Sequence, residues 1–117
     1  MKETKTTINR SVIILAGGTT STVLDKSHYK DMVIFLPANW VTSIITFTGC
    51  DTIDGTYLPV VNADDVGAVT IASVAASQCI GLNGEIRDSL SAVPYLKIVA
   101  TTAQATTDKV IRFTLMR

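Results

Sequence analysis

The sequence predicts an all-β domain, and three observations carry that expectation. Threonine, valine and isoleucine number 17, 12 and 12, so 41 of 117 residues, about a third, are branched at Cβ. Such side chains lose rotamer freedom in a helix and pack well on a pleated surface. Glutamate and glutamine occur only twice each, which leaves few of the residues that cover the solvent face of a helix. Finally, short stretches of alternating apolar and polar residues recur with turn signals roughly every 8–12 residues, the spacing of a sandwich or barrel. A chain of 117 residues fits one domain.

The elements follow in order. Residues 1–9 carry no period and read as an arm. Residues 10–16 read as a strand built on Val12-Ile13-Ile14-Leu15-Ala16 and stopped by Gly17-Gly18. Residues 19–30 are polar and read as a loop with a short strand at 22–24. The run Met32-Val33-Ile34-Phe35-Leu36 is apolar without alternation, which predicts a strand covered on both faces; Pro37-Ala38-Asn39-Trp40 ends it. Over 42–50 alternation returns, with Ile45 and Phe47 facing one way and Ile44, Thr46 and Thr48 the other.

Asp51-Thr52-Ile53-Asp54-Gly55 then supplies a turn, because Asp and Gly tolerate the backbone angles of a reversal. Residues 56–61 return as a strand, with Pro59 placing it at an edge or a bulge. A second turn at 62–65 leads to strands at 68–74 and 77–82. Residues 85–91 are the one stretch suited to a helical turn. Residues 95–100 form a strand, 101–108 a polar turn, and 110–116 the clearest strand. In that last strand Ile111, Phe113 and Leu115 face inward, and Arg112 and Thr114 outward.

Charge narrows the function. Ten basic residues balance ten acidic ones, for a net charge of zero. Binding to nucleic acid through phosphate neutralisation needs a basic excess that is absent here. Charged residues make up 17% of the chain and apolar ones 47%, against a usual charged share of ~25%. A small domain has much surface per unit volume and needs polar cover. The surplus of uncharged surface points to contact with another protein.

The apolar run 12–16 is shorter than the ~7–15 residues of a secretory signal core, and Glu3 is out of place in a positive leader. Two stretches of 19 residues, 32–50 and 66–84, carry no charge. The first is broken by Pro37-Ala38-Asn39, and the second holds Thr70, Ser73, Ser77, Gln78 and three glycines. Both alternate like strands, so neither is read as a membrane helix. The expectation is folding in a cytoplasm, with Cys50 and Cys79 reduced and buried rather than joined.

Catalytic chemistry finds little material. His28 is the sole histidine and lies in a polar loop. The loop starting at Asp51 has Asn62 at its twelfth place, where a calcium loop needs Glu. Asp64-Asp65 sits in a turn, not in a cleft that would separate two carboxyl pKa values. Gly17-Gly18 is not followed by Gly-Lys-Ser/Thr, and no Gly-x-Ser-x-Gly occurs. No catalytic residue, cofactor or metal ligand is expected, and the chain is read as a non-enzyme. Trp40 has no second aromatic or basic neighbour for stacking on a sugar or base, so core or interface packing is favoured.

One resemblance is specific to ordered motifs over about two-thirds of the chain. These are Pro37-Ala38-Asn39-Trp40, then Ile44-Ile45-Thr46-Phe47, then Asp54-Gly55-Thr56-Tyr57-Leu58-Pro59. They are followed by Pro94-Tyr95-Leu96-Lys97-Ile98 and a terminal Val110-Ile111-Arg112-Phe113-Thr114-Leu115-Met116-Arg117. The order resembles small virion proteins of tailed bacteriophages, some of them capsid decoration (cement or stapling) proteins. Relatives often carry Arg-Ser-Gly-Thr after the Tyr-Leu-Lys-Ile segment, where this chain has Val99-Ala100-Thr101-Thr102.

The resemblance implies a single-domain β-sandwich, jelly-roll-like, of about eight short antiparallel strands over residues 10–117 behind the arm. It implies a structural protein on the virion's capsid surface. The partners implied are the major capsid protein and further copies of the chain, as a dimer or trimer, with no nucleic acid and no membrane. The arm and an uncharged sheet face are the expected contacts, through Lys2, Lys5, Thr7, Trp40 and Tyr57, with Phe35 the aromatic more expected in the core. The competing reading is a tail, fibre or adhesion accessory binding host surface glycan.

Overall fold

The structure is a computed structural model that describes residues 7–63, 66–82 and 84–117, the Ser73 side chain excepted. Two antiparallel sheets face each other. Sheet A runs in the order β1 (Thr7–Ile14), β10 (Lys109–Met116), β4 (Asp31–Phe35), β8 (Cys79–Gly81). Sheet B runs β2 (Gly18–Thr20), β9 (Tyr95–Gln104), β5 (Ser43–Cys50), β6 (Leu58–Pro59). Two more strands complete sheet B: β3 (Leu24–Asp25) pairs with β9, and β7 (Thr70–Val74) pairs with β5. Among the described residues one short helix, α1 (Gly84–Leu90), lies between β8 and β9 in the chain.

If β2 and β3 are one interrupted strand, and β6 and β7 another, eight strands remain. Their order in the two sheets is then that of a jelly roll, as the resemblance implied. The inner faces meet in one core. Ile14, Ile34, Ile111, Phe113 and Leu115 come from sheet A, and Ile45, Phe47, Leu96, Ile98 and Ala100 from sheet B. The alternation expected in β5 and β10 is present: Ile45 and Phe47 are buried while Ile44 is exposed, and Ile111, Phe113 and Leu115 are buried while Arg112 is exposed.

Several expected boundaries move. β1 begins at Thr7, not at residue 10, because Thr7, Ile8 and Asn9 pair with Met116, Leu115 and Thr114. The expected arm therefore loses its last three residues to the strand, and residues 1–6 lie outside the described residues. β1 ends at Ile14, since Gly17 takes φ +79° and donates its N–H to the Gln104 carbonyl at 2.7 Å, turning the chain toward sheet B. β6 is only two residues long, because Pro59 brings no N–H to the ladder. The Asp64-Asp65 turn falls outside the described residues.

β9 runs four residues past Ala100, to Gln104, where a polar turn was expected. Gln104 is wholly buried and satisfied. It accepts from the Val41 N–H at 2.8 Å and donates to the Val41 and Thr102 carbonyls at 3.0 and 3.1 Å. β4 alternates instead of being covered on both sides: Met32 and Ile34 are buried, Val33 and Phe35 only half so. It lies between β10 and β8 within its sheet, and the described residues cover its outer face only in part. The cysteines are free, as expected, but they are not buried. Cys79 is exposed and Cys50 half-buried, because both sit at outward-facing strand positions.

Two lysines are buried. Lys26 donates to the Leu90, Ser91 and Val93 carbonyls at 2.8, 3.2 and 3.1 Å, tying the segment after β3 to the end of α1. Burial pushes its ammonium down to about 8, and the Asp31 charge works in the opposite direction. Lys109 closes the β9–β10 turn by donating to the Ala105 and Thr107 carbonyls at 2.9 and 2.8 Å. In each case the cost of burying an ammonium is offset by the charge-assisted hydrogen bonds it makes to backbone carbonyls.

Candidate interaction surface

Pairing register defines the outer face of sheet A row by row. Ile13 stands opposite Val110. Ser11, Arg112, Phe35 and Cys79 form the next row, and Asn9, Thr114, Val33 and Gly81 the one after it. Thr7, Met116 and Asp31 close the far end. Arg112 and Asp31 are the charged residues on this face. The Arg112 guanidinium lies over the Phe35 ring, 5.6 Å from its centre, and the Thr114 hydroxyl is 3.0 Å from Asn9 Oδ1. A shallow groove of about 560 Å³ lies beside Phe35, with Asn9, Arg10, Ser11 and Arg112 in its lining. Exposed Ile13, Leu15 and Val110 form an apolar patch at one end of the face.

The edge of this sheet is unusual as well. Ile13 uses its N–H and C=O away from β10, bonding the Thr22 hydroxyl and the Thr22 N–H at 3.1 and 3.0 Å. Bonding direction alternates along a strand, so Ile8, Arg10, Val12 and Ile14 bond β10, while Thr7, Asn9 and Ser11 point their backbone groups outward. All three are exposed. Among the described residues, the edge of β1 thus presents a regular row of unpaired donors and acceptors.

Thr7, Trp40 and Tyr57, the described residues among the expected contacts, do not gather in one place. Thr7 lies on the free β1 edge; Lys2 and Lys5 are outside the described residues. Trp40 is 4% exposed, with its indole N–H donated to the Val74 carbonyl at 3.2 Å. It holds the 37–42 turn onto β7, and no partner reaches its ring in the folded chain. Phe35 is the more exposed of the two, which reverses the expectation. The indole N–H needs a buried acceptor, which Val74 supplies, whereas Phe35 has outward parity on β4.

Tyr57 belongs to the other side of the molecule. Its hydroxyl donates to the Ile53 carbonyl at 2.8 Å, and the Lys97 ammonium sits 4.4 Å above its ring. Burial chiefly raises its pKa, with neighbouring Cys50, Asp54 and Tyr95 acting in the same direction. Neither composition nor alternation marks the β1 edge, since an edge is a property of strand order.

His28 is exposed, as expected of a loop residue. Among the described residues no group of three His, Cys, Asp or Glu side chains could hold a metal ion. Also among the described residues, no helix is long and apolar enough to cross a membrane.

No family model and no curated protein matches this chain. Among solved structures, the SPBc2 prophage-derived protein YomS superposes with a TM-score of 0.62 at 10% identity, over 100% of this chain and 98% of that one. The two share a fold. The structure described as "Bacillus endospore appendages form a novel family of disulfide-linked pili" aligns at a TM-score of 0.36 and 16% identity, over 97% of this chain and 91% of that one. That similarity is too loose to carry an argument.

Proposed function

We propose that this chain is a non-enzymatic structural protein of a phage virion that binds the outside of the capsid and reinforces contacts between major capsid subunits. The observation that carries the reading is the bare outer face of sheet A, contiguous with the free edge of β1. Serine, threonine and asparagine on such a surface lose little on burial when they find hydrogen-bond partners. A face rich in lysine and glutamate would lose far more. The solved neighbour that shares the fold is prophage-derived in its description, which agrees with the resemblance in sequence.

The reinforcing action is additive. Each docked copy adds buried area that must be exposed before capsid subunits separate. A specific contact buries ~1,200–2,000 Å² in total, and repetition over a shell makes modest contacts collectively strong. The Ile13, Leu15 and Val110 patch supplies the apolar centre of such a contact, and the groove beside Phe35, with Asn9, Arg10, Ser11 and Arg112 in its lining, a polar rim. Membrane and nucleic acid have no part in this account.

The test is to heat shells assembled with and without the protein. Shells that carry it are expected to open at higher temperature, with hundreds of copies per particle. Equal heat resistance, or about a dozen copies or fewer confined to the tail, would overturn the reading in favour of a tail or adhesion part.

A further inference from the structure

We infer that β1 is the edge through which two copies of this chain meet. The strands pair antiparallel about a two-fold axis at Asn9, so that sheet A of one copy continues into sheet A of the other. The inference deepens the reading above by naming the surface of self-association.

The geometry begins at the edge. Thr7, Asn9 and Ser11 hold their N–H and C=O groups outward, and the engagement of Ile13 by Thr22 sets the limit of the free stretch. Such a row is matched by a strand with the same two-residue spacing. With the axis at Asn9, Thr7 faces Ser11 of the second copy, Asn9 faces Asn9 of the second copy, and Ser11 faces Thr7 of the second copy. Each pair exchanges two backbone bonds. All six side chains are short and uncharged. Between them Ile8 faces Arg10 of the second copy, so no like charges stand directly opposite.

A second copy fits better than an arbitrary strand for two reasons. The chain has no net charge, so identical copies approach without long-range repulsion. The arrangement is also self-complementary and closes on itself, as two-fold contacts do. The other edges offer no comparable run. β8 and β2 have three residues each, β3 and β6 two, and β7 pairs with a register shift between Ser43 and Ile45. Pairing through one strand lies at the small end of interfaces, below ~1,200 Å², so the dimer is reversible in solution.

Sedimentation velocity over a hundredfold range of concentration tests this. The wild type is expected to move from 12.5 kDa toward twice that mass. Ser11→Pro removes an outward N–H without touching the bonds between β1 and β10, and is expected to weaken the dimer at least tenfold. Charge tests the register. A chain with Thr7→Lys and Ser11→Lys, and a second with Thr7→Glu and Ser11→Glu, are each expected to stay at 12.5 kDa alone and to form a heterodimer when mixed. A wild type that stays at the mass of one chain throughout would overturn the inference. So would a dimer that all three variants leave intact. If the chain is single yet still strengthens shells, this inference fails and the capsid reading stands; if it dimerises and shells ignore it, the reverse holds.

Discussion

The two sheets have similar inner faces and outer faces with few charges, but they end differently. Sheet B closes itself off. The far sides of β9 and β5 are each shared by two short strands, Pro59 blunts one of them, and the 51–57 loop brings Tyr57 over Lys97 on the outer face. Sheet A ends on eight-residue β1, which pairs with β10 on one side and, from Thr7 to Ser11, meets no described strand on the other. Short, interrupted edges are how sheets avoid unwanted pairing. The contrast teaches that the described strands of sheet B are finished within the chain, whereas sheet A leaves an edge for the proposed partner to finish.

The largest effect concerns what the sheets share. Phe113→Ala on β10 and Phe47→Ala on β5 should each cost about 3–5 kcal/mol, seen as similar drops in urea midpoint. A much smaller loss in one would break the idea of a single core between equals.

Next comes the corner where the sheets join. Gln104→Ala leaves the Val41 N–H and C=O without their partners. A loss of about 1–3 kcal/mol is expected in chemical denaturation.

The buried lysines sharpen the comparison through pH. Lys26 anchors the sheet B side and Lys109 the start of β10 in sheet A. Below about pH 8 both the folded and unfolded chains hold the Lys26 proton, and it adds no pH dependence. Between about 8 and 10.5 the unfolded chain binds a proton that the folded chain gives up, so stability rises with pH. The raised Tyr57 pKa works the other way above its ordinary value of 10.0. Denaturation midpoints from pH 7 to 10 should show the rise in the wild type and lose it in Lys26→Met.

The smallest effect on folding is expected on the outer face of sheet A. Ile13→Thr and Val110→Thr should shift stability by no more than about 0.5 kcal/mol. The same variants should be retained poorly on shells in a co-sedimentation assay. Full retention would remove the apolar patch from the account.

Much of the fold was legible in the residues. Period-two alternation placed β5 and β10 with the correct faces, because one side of each meets the core and the other meets solvent. The helical turn and the reversal at Asp51–Gly55 followed from local chemistry. What could not be read depends on partners distant in sequence. Lys26 looked like part of a solvated loop, but its carbonyls arrive from 64 to 67 residues away. Gln104 looked like a turn residue until Val41 met it. The free edge of β1 depends on strand order, which alternation does not encode. Residue type makes Trp40 an expected anchor beside Tyr57 and Phe35, but its indole N–H meets the Val74 carbonyl inside the fold.

The most direct test of sheet A as the contact side is amide hydrogen exchange of the chain free and bound to shells. Thr7, Asn9 and Ser11 should exchange rapidly in the dilute free chain and become protected on the particle, with the edges of sheet B unchanged. Protection that falls on Leu58 and Val61 instead, with the β1 amides still exchanging freely, would contradict the account.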